Sequence, residues 1–280
     1  MIEQYFSEKE RDSQKYDFCF VYITEDKAKD DELICELQKN ILRAYCFPAY
    51  FQQKRRNLDR KGLETYIKGN VIPNNANRID LSVRNGDFGE IFVSLIIEYF
   101  YKKEPFYKLR WKVNSDKSVF GTDIVAFDSL DNPTEISYYE VKTRKNPLKK
   151  EPLNKDCNEF ITVIAYKSLE KDMNSNTEAI LDFISKFYFR LGEYDKSKVF
   201  SDLVDGVKSV NKNYEIFIIT DSNILSKDYQ KLLSALQSIP KTITPLSVTF
   251  IFIDNLQGLI TDIWETIAER GAEFIEANAL

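Results

Sequence analysis

The 280-residue chain contains no histidine. This absence excludes hydrolases that depend on a Ser-His-Asp or Cys-His arrangement, and it excludes zinc sites that use imidazole ligands. Any hydrolysis by this chain must therefore rely on carboxylates, lysine and a hard metal ion.

Cysteine, glycine and proline are scarce as well. The four cysteines, Cys19, Cys35, Cys46 and Cys157, include no close pair with metal-ligand spacing. Scattered cysteines in a chain of this length are typical of reduced thiols in a cytoplasm, where we expect the protein to reside, and not of a disulfide framework. The nine Gly and eight Pro leave little room for long flexible linkers.

Long hydrophobic runs are also missing. The longest are short, such as residues 248–253, whereas a membrane helix needs about 20 apolar residues. The N-terminus is too charged for a signal peptide, and we expect no membrane association. The net charge of −5 argues against nucleic-acid binding over the whole surface, but it permits a local basic groove or dependence on a partner.

What remains is the composition of a folded α/β protein. Apolar residues make up 43% of the chain, including 20 Phe and 16 Tyr, which is enough to bury a sizeable core. The patterns predict an N-terminal accessory α/β region over residues 1–80 and a main domain over residues 81–280. The accessory region is expected to hold a strand, two helices and a connector, at residues 16–24, 27–47, 58–68 and 71–78. Pro48 is expected to end the first of these helices.

The main domain has a more regular pattern. Asn85 or Asp87 is the expected cap of a helix that runs to about Tyr101. Three short strands follow, at residues 107–113, 119–127 and 135–143. The turn-rich segment 128–134 is expected to join the last two as a hairpin. The remaining expected elements are a mostly helical stretch, a strand, a helix, a strand and a closing helix, at residues 156–206, 214–220, 227–239, 247–254 and from 256 onward.

Two of the expected strands carry charged residues in a suggestive pattern. Side chains alternate along a strand, so Glu140 and Lys142 point to one face while Val141 points into the core. If the strands pair as a hairpin, Asp123 lies beside Glu140. Two carboxylates on adjacent strands form a natural site for Mg²⁺.

A lysine and a third acid complete this group. Beside a phosphodiester, the Lys142 ammonium can orient the attacking water and offset the charge that develops on phosphorus. Glu90 lies in the first turn of the helix that precedes the strands, and Gly89 would let that helix approach the sheet closely.

This ordered set resembles the PD-(D/E)XK nuclease superfamily: a helical Glu90, then Asp123, then the triplet Glu140-Val141-Lys142, in α-β-β-β-α-β order. The resemblance implies a restriction-endonuclease-like core with a central mixed β-sheet flanked by helices. It also implies a Mg²⁺ ion, which Mn²⁺ can replace, held by Asp123, Glu140 and the Val141 carbonyl, with Glu90 on the metal or on a water. Thr122 precedes Asp123 where the superfamily often has Pro, and this departure touches no ligand.

Three segments carry a narrower resemblance. GDFGEIF, FGTDIVAFD and YYEVKTR, together with the chain length, are similar to the HamA family of nuclease subunits from the Hachiman anti-phage system. That similarity implies a superfamily 2 helicase partner, HamB, and DNA cleavage that is restrained until infection or DNA damage releases it.

Each of these residues also has a plain structural interpretation. Glu140 and Lys142 could form a cross-strand charge pair on a solvated face. Asp123 could be a turn residue after Gly121, and Glu90 could be a first-turn acid favoured by the helix dipole.

The basic segments leave alternatives open too. Arg144, Lys145, Lys149 and Lys150 could contact nucleic-acid phosphates or form a solvated loop. Residues 54–61 (KRRNLDRK) could bind DNA, an acidic partner surface or only solvent. The segment 178–191 is apolar enough for core or partner interface, and Trp111 and Trp264 are expected in the core.

The sequence thus favours a Mg²⁺-dependent endodeoxyribonuclease of low sequence specificity, acting as the effector of a bacterial defence complex. The main alternative is a non-catalytic scaffold that keeps the nuclease fold as a binding or regulatory subunit. A third and weaker hypothesis is that the protein is a sequence-specific restriction enzyme.

Overall fold

Strands and helices alternate along the chain in the computed structural model, which describes residues 2–12, 15–74, 78–107, 109, 122–154, 157–175, 177–224 and 229–280. The strands in these residues are β1 (Phe6–Asp12), β2 (Cys19–Glu25), β3 (Glu104–Phe106), β4 (Ile124–Phe127), β5 (Glu135–Thr143), β6 (Glu151–Asn154), β7 (Cys157–Glu159), β8 (Asn211–Asp221) and β9 (Leu246–Ile253). The helices are α1 (Asp31–Tyr45), α2 (Pro48–Arg55), α3 (Arg60–Tyr66), α4 (Arg78–Phe100), α5 (Ile161–Ser175), α6 (Thr177–Arg190), α7 (Tyr194–Val204), α8 (Tyr229–Gln237) and α9 (Leu256–Glu276).

Seven of the described strands form one mixed sheet in the order β1-β2-β9-β8-β5-β4-β3. The central strands β2, β9, β8 and β5 run parallel, and the outer pairings are antiparallel. The second half of β8 and most of β9 are buried, which fits the apolar runs at residues 216–219 and 250–253. The predicted central mixed sheet flanked by helices is confirmed, and β6 and β7 form a separate two-stranded ribbon.

Helices cover both faces of the sheet. One apolar cluster joins α1, α4 and α9 to the sheet, and a second joins α5, α6, α7 and α8 to the opposite face. Tyr139 and Val141 belong to the first cluster and Tyr138 to the second, so alternate residues of β5 point to opposite faces. Glu140 and Lys142 therefore point toward α5, and Val141 packs in the core as predicted.

The predicted hairpin between β4 and β5 is confirmed. The two strands pair with Ile124 opposite Tyr139. The Asp128 carboxylate closes the connection, because it accepts hydrogen bonds from the backbone N–H groups of Thr134 (2.9 Å) and Glu135 (3.0 Å). This turn fixes the register in which the two strands present their side chains.

Helix α4 begins earlier than the sequence pattern predicts. It starts at Arg78, so Asn85 and Asp87 lie inside the helix and neither is its N-cap; that prediction was wrong. The polar Asp87 is tolerated in the helix interior because its carboxylate accepts a hydrogen bond from the buried Tyr45 hydroxyl. Glu90 consequently lies in the middle of the helix and not in its first turn.

Pro48 has a different role from the predicted one. Helix α1 already ends at Tyr45, and Pro48 is the first residue of α2, a position that proline favours because its missing N–H would be unpaired there anyway. Trp264 is buried, as predicted. The predictions for Trp111, for most of the strand at 107–113 and for the start of the strand at 119–127 lie outside the described residues.

The other predicted elements are confirmed with shifted ends: β2, α1, α3, β5, the helical stretch α5 to α7, β8, α8, β9 and α9. The accessory strands join the main sheet, because β2 pairs with β9. The proposed division at residue 80 stays a prediction. In the described part of the chain, every helix is too short or too polar to cross a membrane.

Two glycines of α4 provide a matched test of how this helix packs. A Cβ at Gly89 would overlap the Thr143 hydroxyl and lie 3.2 Å from Val141 Cγ1, whereas a Cβ at Gly86 would meet nothing within 4 Å. The predicted close approach of α4 to the sheet at Gly89 is therefore confirmed.

We expect Gly89→Ala to lower the melting temperature, because α4 must move away from β5 or Thr143 must rotate. Gly86→Ala should raise it slightly, since Ala favours a helix over Gly by about 0.8–1 kcal/mol. Thermal unfolding followed by circular dichroism measures both variants. Equal stabilisation by the two substitutions would contradict the tight contact at Gly89.

Candidate active site

Two carboxylates meet where β4 stops pairing with β5. The terminal ladder pair is Ile124 with Tyr139, and the next residues on the two segments are Asp123, just before β4, and Glu140. They share the face that looks toward α5. The negative charge of Asp123 raises the pKa of Glu140, so the two carboxylates lie close enough to repel each other, as the hairpin predicts.

Glu140 is buried, with 2% of its surface exposed. Its pKa rises to about 7 because burial disfavours the charged form and the Asp123 charge adds to this effect, against the opposing influence of Lys142 and Ser168. Burial and the Asp123 charge thus favour the neutral form of this carboxyl group, and a divalent cation beside it would favour the charged form.

Lys142 places its ammonium between the two carboxylates. Nζ lies 2.5 Å from Glu140 Oε1 and 3.9 Å from Asp123 Oδ2. Burial lowers the pKa of Lys142, but the charges of Asp123, Glu140 and Glu90 together raise it above its ordinary value. The side chain is 25% exposed and stays protonated at neutral pH, so the ammonium can donate hydrogen bonds toward solvent but cannot act as a base.

The backbone of Val141 faces the same notch. Its N–H donates a 2.7 Å hydrogen bond to Asp123 Oδ2, beyond the end of the β4–β5 ladder. In a strand, the N–H and C=O of one residue point to the same side, so the Val141 carbonyl also points toward Asp123. The two carboxylates and this carbonyl converge on one notch at the sheet edge.

Glu90 approaches the group from α4. Its charge contributes to the raised pKa of Lys142 and also to the raised pKa of Tyr45, for which burial is the larger cause. Because Glu90 is in the middle of α4, the expected first-turn position was wrong, and with it the explanation by the helix dipole. Close packing at Gly89 is what brings this part of α4 to β5.

The predicted phosphate-contacting residues follow β5 directly. Arg144 is half-buried and its N–H is bound to the Ile219 carbonyl (2.9 Å). Lys145, Lys149 and Lys150 are exposed, and the Lys150 ammonium lies 5.0 Å from the Phe160 ring centroid. Their contact with nucleic acid stays a prediction.

The donors in the notch suit a hard cation. Among the described residues, no three His, Cys, Asp or Glu side chains group closely enough to hold a metal ion by themselves. Mg²⁺ does not require three, since it takes one or two carboxylates and completes its shell with water and phosphate oxygens. The repulsion that raises the pKa of Glu140 would be relieved by a divalent cation between the carboxylates. Asp123, Glu140 and the Val141 carbonyl could therefore hold Mg²⁺ or Mn²⁺.

Comparison with protein-family models matches residues 2–267 to the HamA family. The chain belongs to the HamA family. The match includes residues 2–80 and the candidate site, and it confirms the resemblance inferred from GDFGEIF, FGTDIVAFD and YYEVKTR. HamA membership associates the chain with Hachiman anti-phage defence. No curated protein matches the chain.

One residue of the candidate site was not identified from the sequence. Ser168 on α5 hydrogen-bonds the Glu140 carboxylate. Its helical spacing from the buried residues Ile161 and Ala165 puts a polar side chain on the apolar face of α5. That irregularity was a usable signal, although its partner could be found only from the fold.

Glu140→Gln tests the electrostatics of the site. The folded-state pKa of about 7 lies above the ordinary 4.5, so ionisation of Glu140 removes stability as the pH rises from 4.5 through 7. Gln cannot ionise. In metal-free buffer, the variant should therefore melt higher than wild type at pH 8, by about 2–4 °C for each kcal/mol relieved, and change little at pH 5.

The variant Glu178→Gln, which makes the same substitution at an exposed position on α6, is the matched control. Lower stability of Glu140→Gln at pH 8, or an equal gain at both pH values, would contradict the account of a disfavoured charge at Glu140.

Proposed function

We propose that this HamA family member is a metal-dependent DNA nuclease of the PD-(D/E)XK type. The observation that carries the proposal is the convergence of Asp123 and Glu140, with the Lys142 ammonium 3.9 Å and 2.5 Å from them. Such a group is suited to phosphodiester hydrolysis in a chain without histidine. In this proposal, residues 81–280 form the nuclease domain and residues 1–80 an accessory region.

Each residue has a distinct role in the proposed reaction. Asp123, Glu140 and the Val141 carbonyl would hold Mg²⁺, and Glu90 would assist from α4. When bound, the ion supplies a Lewis acid for the phosphate and lowers the pKa of the attacking water.

Lys142 acts by charge and not as a base. Because its pKa is raised, its ammonium donates hydrogen bonds that orient the attacking water and offset negative charge on the phosphoryl oxygens. The 5′-phosphate and 3′-hydroxyl products are those that the family resemblance implies.

A partner fits the charge of the chain. With a net charge of −5, the isolated protein has little long-range attraction for DNA. HamA membership supports a helicase partner of the HamB type that delivers DNA to the site or restrains it. The basic residues that follow β5 would then guide the phosphate backbone past Lys142.

The rival function is a non-catalytic scaffold, for which the Lys142–Glu140 ion pair is the favouring observation, since such a pair can be purely structural. Metal-dependent thermal stabilisation separates the two functions. If the site binds Mg²⁺ or Mn²⁺, either ion should raise the melting temperature of the protein. The Asp123→Asn variant should not show this increase. A scaffold should melt at the same temperature with and without metal.

Cleavage of supercoiled plasmid tests the nuclease proposal directly. Purified protein with Mg²⁺ or Mn²⁺ should nick or degrade the plasmid, and EDTA, Glu140→Ala and Lys142→Ala should each abolish cleavage. Glu178→Ala and Lys186→Ala, which alter exposed charges on α6, are the matched controls and should cleave normally.

Cleavage that persists in both site variants would overturn the residue assignment. If the wild-type protein alone does not cleave the plasmid, the assay is repeated with the candidate helicase and ATP. No cleavage in that assay, together with no thermal stabilisation by metal, would favour the scaffold. A smear of products is expected, whereas discrete bands would indicate a sequence-specific restriction enzyme.

A further inference from the structure

Helices α2 and α3 carry a charge opposite to that of the whole chain. Residues 47–70 contain six basic and two acidic side chains, a local net charge of +4 in a chain of −5. The two helices are anchored by Phe51, Leu63 and Ile67, all fully buried. The positive charge is therefore fixed on a rigid part of the surface.

Aromatic rings are interleaved with these basic residues. Tyr50 is 42% exposed and Phe47 is 39% exposed. The Lys54 ammonium lies 5.2 Å from the ring centroid of Tyr50 and 5.0 Å from that of Tyr66. Tyr50 and Tyr66 are also hydrogen-bonded to each other, which contributes to the rise of the Tyr66 pKa to about 12, for which burial is the main cause.

Part of the charge on this surface is not neutralised by the residues that the structure describes. Arg60 pairs with Glu273, and Lys68 pairs with Glu64. Arg56 and Lys61, by contrast, are exposed and form no ion pair with any residue that the structure describes. Charges left open in this way, next to exposed rings, indicate a site for a polyanion.

The surface is tied to the candidate active site through α4. Phe47 follows Tyr45 by two residues, and the Tyr45 hydroxyl is hydrogen-bonded to Asp87. The negative charge of Glu90 contributes to the raised pKa values of both Tyr45 and Lys142. The end of α1, from which the chain continues into α2, is thus connected to the part of α4 that carries Glu90.

We propose that this aromatic–basic surface, formed by Phe47, Tyr50, Lys54, Arg56, Lys61 and Tyr66, binds single-stranded nucleic acid next to the nuclease site. The inference rests on the proposed function and adds the strand class of its substrate. Phosphates are attracted by the basic side chains, and unpaired bases stack on exposed rings, which paired bases in a duplex cannot reach.

Fluorescence anisotropy of a labelled oligothymidylate tests the proposal, with the full-length chain in EDTA so that no cleavage occurs. Tyr50→Leu keeps an apolar side chain but removes stacking, and it should weaken binding by about 5-fold or more. Phe189→Leu is the matched control, since Phe189 on α6 is 62% exposed, and it should bind as wild type does.

A charge-reversal pair separates the basic contribution. Arg56→Glu with Lys61→Glu should weaken binding and reduce its salt dependence. Lys186→Glu with Lys198→Glu reverses two exposed charges on α6 and α7 and should have a smaller effect. All four are surface changes, and circular dichroism melting checks that each variant is folded.

Absence of oligothymidylate binding by wild type, or equal binding by wild type, Tyr50→Leu and the charge-reversal pair, would overturn the inference. Displacement by polyglutamate combined with no effect of Tyr50→Leu would instead assign the surface to an acidic protein. A chain that binds through Tyr50, but neither cuts plasmid with the candidate helicase and ATP nor is stabilised by metal, contradicts only the nuclease proposal. A chain that cuts but binds independently of these residues contradicts only this inference.

Discussion

The register of β5 is the constraint on which the site depends. β5 pairs along its whole length with β8 and at its start with β4, and its side chains alternate between two apolar layers. A slip by one residue would turn Glu140 and Lys142 toward α4 and put Val141 under α5. That slip is unfavourable, because it would put charged side chains into the apolar layer that now holds the buried Val141. Apolar packing across the sheet thus stabilises the register that places Glu140 and Lys142 together, although burying charged side chains is itself unfavourable.

The protonation of the charged groups in the notch depends on how deeply each is buried and on which groups lie beside it. Burial and the neighbouring charge of Asp123 raise the pKa of Glu140 to about 7, although the Lys142 ammonium opposes the rise. Burial lowers the pKa of Lys142, but the nearby carboxylates raise it above its ordinary value and keep Lys142 protonated. The arrangement costs stability without a cation, which is common where a site is organised for binding or catalysis and not for folding. Ser168 and Glu90 reach the group from α5 and α4, so both layers contribute to it.

Much of the architecture could be predicted from the sequence because its signals are local. Alternation along β5, the turn at 128–134 and the absence of histidine were enough to predict the hairpin and the three residues Asp123, Glu140 and Lys142 as one group. Local signals also misled: Asp87 looks like a helix cap, yet it is bound by Tyr45, a contact across 42 positions that no local pattern contains. The depth of Glu140 under α5 and its bond to Ser168 depend in the same way on tertiary packing.

The central claim is that Asp123, Glu140 and Val141 hold a divalent cation, and anomalous diffraction from crystals soaked in Mn²⁺ tests it most directly. The account predicts one strong anomalous peak in the notch, within bonding distance of both carboxylates and the Val141 carbonyl, and loss of that peak in Asp123→Asn. A peak elsewhere on the protein, or an undisturbed Lys142–Glu140 ion pair with no peak beside it at saturating Mn²⁺, would contradict the claim.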